Sequence, residues 1–168
     1  MDSFWKWLFV RRGNSSAGFR NVVNFYLLLH ASIAIAATLL IRSDPFSFAS
    51  KALFPATSIL IGMSMAWTTR ASTILQTKEL REALFRNDRS AEEYIYGFQL
   101  AILIILLMVG FVAVMAGGGI RIRIFGGHID SLLSGFWLYF LLSLSIRECW
   151  GVVNFTNMLS LLEYKRTK

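Results

Sequence analysis

Residues 21–41 contain no Asp, Glu, Lys or Arg, nor do 52–69 and 94–116; a fourth stretch, 131–151, holds only Arg147 and Glu148, near its end. A bilayer core is roughly 30 Å thick and takes about 20 consecutive apolar residues to cross as a helix. Backbone groups in lipid must hydrogen-bond within the chain, so each stretch is expected to be an α-helix. The expected fold is therefore all-α, an integral membrane bundle of four transmembrane helices. Composition agrees: AVILMFWYC make up 55% of the chain, and 12 Gly are added to that, whereas soluble domains stay near about 45–50% with Gly counted. Charged residues are 16% and the mean hydropathy is +0.55. Such a balance excludes a disordered chain, and a single Cys excludes a disulfide scaffold.

Orientation follows from the bases. Lys and Arg are retained on the cytoplasmic side of short loops, and with both termini inside 13 of the 17 bases fall there, leaving Arg42, Lys51, Arg121 and Arg123 outside. The net charge of +7 is thus read as a topology signal, not as direct nucleic-acid binding. Trp5, Trp7, Trp67, Tyr94, Tyr96 and Trp150 all fall at the inner interface in this arrangement, where amphipathic rings are favoured. The resulting map is a single membrane domain over 1–168. It consists of a cytoplasmic interfacial N-terminus (1–20), the first span (21–41), an outer loop (42–51), the second span (52–69), a cytoplasmic helical loop (70–93), the third span (94–116), an outer Gly/Ile/Arg loop (117–130), the fourth span (131–151) and a cytoplasmic C-terminal extension (152–168). Ala34-Ile35-Ala36 resembles a signal-cleavage site, but the apolar run continues through Ile41, so an uncleaved span is expected. A bacterial inner (plasma) membrane is the expected location.

The segments between spans carry further signals. Phe4 to Val10 is apolar but too short to cross, and is expected to lie along the inner interface. Ser43-Asp44-Pro45 is a helix start, and a short surface helix over Phe46 to Leu53 is expected to precede the second span. Thr73, Thr77, Leu80 and Leu84 share a face, which extends the second helix inward. Ser90-Ala91-Glu92-Glu93 has the form of a capping box for the third helix. Val152, Phe155, Leu159 and Leu162 continue an apolar stripe beyond the fourth span, to be covered by the Thr73–Leu84 face, by another protein or by another copy. Outside, Ile120 to Phe125 alternates apolar and basic residues between Gly runs, the pattern of a short strand. Arg121, Arg123 and His128 are its outer-face candidates; lipid headgroups, an anionic surface or a second subunit are the alternatives. Asp130 or Ser131 is expected to cap the fourth helix.

Polarity inside a span is costly and marks functional candidates. His30 and Asn24 lie within the first stretch, His30 either bonding a neighbouring helix or lining a pore. Arg147 and Glu148 point about 100° apart on a helix and are expected to pair elsewhere, Glu148 with Arg70. With Trp150, Asn154, Phe155 and Asn157 they form a candidate pore mouth or partner-docking surface, or else an internal network. Ser58, Gly62 and Ala66 make a small-residue face for close helix packing, within the protomer or between protomers. Cys149 is expected to be a reduced, buried thiol.

Catalysis has little to work with. Two His and one Cys are scattered, so neither a metal site nor a cofactor is expected, and His128, Asp130 and Ser131 sit too close on one loop for a relay. The functional expectation is a non-enzymatic, homo-oligomeric membrane scaffold or sensor subunit. It would contact membrane lipids and a cytoplasmic protein partner, with a stress or antiviral defence system as one setting. The alternative is a pore-forming ion channel or membrane-permeabilising effector.

Overall fold

The structure, a computed structural model, describes residues 2–10, 18–41, 44–76, 91–119 and 127–166. Its elements are all helical: α1 (Asp2–Phe9), α2 (Phe19–Val22), α3 (Phe25–Leu40), α4 (Pro45–Phe48), a π-helical turn (Ala49–Leu53), α5 (Phe54–Gln76), α6 (Ala91–Ala116) and α7 (Gly127–Arg166). Three helical runs, Pro45–Arg70, Ile95–Ala116 and Ser131–Met158, are long and apolar enough to cross a membrane, which points to a membrane protein. The fourth, α3, has 16 residues and spans about 24 Å at 1.5 Å per residue, short of a full bilayer core on its own.

Asn24 is the reason. Within the first apolar stretch its side-chain Oδ1 accepts from the Tyr26 amide at 3.0 Å while its own backbone is extended, so it caps α3 and separates it from α2. Asn competes with the helix for backbone donors and is favoured at such starts. The polar residue expected within the span therefore marks the end of a helix.

The second span starts as expected and then departs. The Asp44 side chain accepts from the Ser47 amide, with Pro45 in the first turn. No separate surface helix follows: α4, the π turn and α5 are continuous. Pro55 cannot donate, and its ring crowds the carbonyl one turn back; the wide turn just before it, where the Phe54 amide bonds to Ala49 O, provides room without breaking the helix. At the other end α5 continues past Arg70 to Gln76.

Side-chain contacts give the helix directions. His30 meets Ser143 and Thr38 lies beside Gly135, so α3 runs antiparallel to α7. Pro45 also lies beside Gly135, and the Phe48 ring meets Tyr139 at 5.9 Å, so the α4–α5 helix runs parallel to α7. Phe98 meets Phe155 while Met108 and Val112 share a core with Leu138, which makes α6 antiparallel to α7. Directions thus alternate along the chain. α7 contacts α3, α5 and α6, whereas α3 packs chiefly on α7 at the edge of the bundle.

Among the described residues, two apolar cores hold this arrangement. One joins Ala49, Leu53, Met108, Val112, Met115 and Leu138, all fully or nearly buried. The other gathers Trp7, Leu8, Tyr96, Leu100, Ile104 and Leu144. On α6 the buried positions Leu100, Ala101, Ile104, Ile105, Met108, Val112 and Met115 recur at helical spacing, while Leu106, Leu107 and Val114 face outward. Phe25, Leu39, Leu40, Ile59 and Met65 are likewise exposed. An apolar exterior of this extent is costly in water and suited to lipid.

α6 ends in a left-handed turn. Gly118 and Gly119 have φ of +99° and +73°, and the Gly119 amide bonds to Val114 O at 2.9 Å, a closure that glycine permits. A Cβ on Gly119 would collide with the Phe46 ring of α4. Residues 120–126, with Arg121, Arg123 and the expected strand, lie outside the described residues. α7 begins at Gly127, so Asp130 and Ser131 lie within its first turns and do not cap it.

Candidate functional site

The polar seam between α3 and α7 holds the principal candidates. His30 is 8% exposed, and its Nδ1 lies 2.7 Å from Ser143 Oγ across the helix interface. One turn further along α7, Arg147 and Glu148 form an ion pair: Nη2 is 2.7 Å and Nε 3.0 Å from Glu148 Oε1. This overturns the expectation that neighbours so far apart around a helix cannot pair. The 100° separation describes the Cα–Cβ directions, and the four-bond Arg arm is long enough to sweep sideways and bring two nitrogens to one carboxylate oxygen. Both side chains are partly buried, where a charge is disfavoured unless paired. Arg70, expected opposite Glu148, instead lies over the Trp67 ring, 5.7 Å from its centroid.

Beyond the seam the candidates separate. Phe155 packs edge-on against Phe98, ring centroids 5.4 Å apart, and Val152 is buried, so the start of the C-terminal stripe is covered by the bundle through α6. Thr77, Leu80 and Leu84, the expected cover, lie outside the described residues, as does the Ser90 cap. Trp150 is 70% exposed, and Asn154 and Asn157 are exposed on the same part of α7. The free thiol of Cys149 is half-buried, not enclosed. His128 sits in the first turn of α7.

The small-residue face points away from the bundle. Ser58, Gly62 and Ala66 are all exposed, and a Cβ added at Gly62 would meet nothing within 4 Å. The helix contacts of α5 use other positions, with Thr57 and Ser64 buried and their hydroxyls donating back to Phe54 O and Ile61 O. Such back-bonding satisfies a hydroxyl away from water.

α1 docks on the bundle, a contact that its interfacial composition does not reveal. Trp7 and Leu8 are 6% and 5% exposed, with the Trp7 ring 5.6 Å from Tyr96 and Val22 and Leu27 packed on the same cluster. Gly18 lies directly against Trp7: its amide bonds to Trp7 O at 2.9 Å, and a Cβ there would strike the indole. A glycine shortly after an aromatic-rich amphipathic segment was the available signal.

Among the described residues no group of three or more His, Cys, Asp or Glu is placed to hold a metal ion. No family model, curated protein or solved structure matches the chain.

Proposed function

We propose that the chain is a non-enzymatic membrane scaffold or sensor subunit, a four-span bundle with both termini in the cytoplasm that associates with copies of itself and passes an event in the membrane or at its outer face to a cytoplasmic protein. The alternating helix directions support the four-span reading. α3 runs antiparallel along α7, and α2 with the Asn24 break would make up the thickness its 16 residues lack, with local thinning taking the remainder. The distribution of Lys and Arg supports the N-in orientation, and the membrane proposed is a bacterial inner membrane.

The observation that carries self-association is the outward Ser58/Gly62/Ala66 face. In lipid, helices associate through close packing of backbones, and small residues permit it; here that surface is unused by the protomer. Trp150, Asn154 and Asn157 supply an exposed aromatic and amide surface for the cytoplasmic partner, whereas Phe155 and Val152 serve the bundle itself. Subunit counting in nanodiscs tests the reading: a discrete oligomer is expected, which Gly62→Leu reduces to protomers without lowering their unfolding midpoint. A protomer at every concentration, with Trp150→Glu and Asn154→Ala leaving every co-purifying protein bound, would sink it.

A conducting path is the second reading, favoured by the partly exposed Arg147–Glu148 pair. Ile105, Met108, Val112 and Leu138 fill the described interior and are at most 2% exposed, so such a path would run between copies. Ion flux from loaded liposomes decides it.

A further inference from the structure

α1 is apolar on both sides. Phe4, Trp7 and Leu8 turn toward the bundle, where Tyr96 and Leu144 receive them. Trp5 and Phe9, about 100° around the helix from Phe4 and Leu8 respectively and about 160° from Trp7, are exposed, their rings stacked 6.2 Å apart and 7° from parallel, and Val10 and Lys6 complete the outer face, both exposed. A short helix docked on a bundle in water would present polar residues outward; this one presents two stacked aromatics and one base. Arg20 is exposed nearby on α2, and residues 2–20 hold four bases, Lys6, Arg11, Arg12 and Arg20, against one acid, Asp2.

We propose that the outer face of α1 is a docking surface for the anionic phospholipid headgroups of the inner leaflet, with Trp5 and Phe9 at the acyl boundary and Lys6 among the phosphates. Charge names the occupant. A second copy would set Lys6 and Arg20 against their like, whereas an anionic leaflet attracts both, and Trp and Phe beside Lys is the composition of helices that lie in that layer. The inference rests on the N-in reading above and deepens it. Trp7, on the opposite side of the same helix, is packed on α6 and α7, so a change in leaflet charge that moves α1 acts directly on the bundle. That gives the sensor a ligand class.

The test uses the full chain in vesicles of equimolar phosphatidylcholine and phosphatidylglycerol, with brominated acyl chains on one lipid or the other. The Trp5 signal is the emission lost in Trp5→Phe, and the Trp7 signal that lost in Trp7→Phe. Brominated phosphatidylglycerol is expected to quench the Trp5 signal at least about twofold more than brominated phosphatidylcholine, and neither to quench Trp7 strongly. One base beside an anionic leaflet contributes roughly a fivefold preference, so Lys6→Glu should abolish the difference while leaving the unfolding midpoint in place. Equal quenching by the two lipids overturns the proposal, as does an unquenched Trp5 accompanied by cross-linking between copies through Lys6→Cys in a Cys149→Ser background. Sidedness is read separately with the same Lys6→Cys protein in intact cells. Labelling by an impermeant maleimide from outside would overturn the N-in reading and the inner-leaflet site together; protection from it, combined with equal quenching, overturns the lipid site alone.

Discussion

Removing the Trp7 side chain should release α1 and leave the bundle standing. An indole buries roughly 150–250 Å², and Trp7 is 6% exposed, so at about 25 cal/mol per Å² the burial is worth about 3.5–6 kcal/mol. That is an upper bound, because it uses an extended, fully hydrated reference, and a released Trp would still find the interfacial layer. About 2–3 kcal/mol is the expected cost of Trp7→Ala. An eight-residue helix does not persist on its own, so docking on the bundle, together with the lipid contact of its outer face, is what holds α1 helical. Hydrogen exchange at the amides of residues 5–9 should then accelerate roughly 30- to 150-fold, at 1.36 kcal/mol per decade. Amides of α6 around Met108 should not change. Gly18→Ala should do the same, because its Cβ strikes the indole. Unchanged exchange in α1, or loss of protection throughout α6 and α7, would refute this view of the docking.

The His30–Ser143 bond predicts a non-additive pair: His30→Ala and Ser143→Ala should each lower stability in mixed-micelle unfolding, with a coupling of about 0.6–1.7 kcal/mol, and additivity would mean that the bond carries no energy. Glu148→Gln should destabilise more than the double change Arg147→Met with Glu148→Leu, since the single change removes the carboxylate that lies 2.7 Å from a partly buried guanidinium, whereas the double change removes both charges. The same unfolding assay reads the order of the two. Leu138→Ala, at a fully buried position facing α6 and the π turn, should cost about 2–5 kcal/mol in that assay, against less than about 0.5 kcal/mol for Ile59→Val on the exposed side of α5.

Helix existence was legible because a run of apolar residues near 20 long has few other fates, and three of the four runs became helices long enough to cross. Their ends were less legible. Asn24 reads as apolar-run interior until its side chain is seen capping α3, and the segment 46–53 reads as a separate surface helix until the π turn shows how one helix passes Pro55. Site residues were harder still. Trp5 and Trp7 look alike as interfacial aromatics, and only tertiary packing separates one that is 53% exposed from one that is 6% exposed. The partner of His30 is one serine among several in 131–151, and nothing local singles out Ser143. Arg147 and Glu148 were misjudged because helical projection gives the direction of Cβ and ignores the reach of a guanidinium arm. The face Ser58/Gly62/Ala66 was visible in the spacing, but whether it turned inward or outward depended on how α5 meets α6 and α7.

That outward face is the centre of the account, and cysteine scanning along α5 tests it most directly. In a Cys149→Ser background in native membranes, Ser58→Cys, Gly62→Cys and Ala66→Cys should form dimers on mild oxidation, while Thr57→Cys and Ser64→Cys, turned into the bundle, should not. Cross-linking with this helical period is the result predicted. No dimers at the three outward positions, or dimers formed equally at all five, would contradict it.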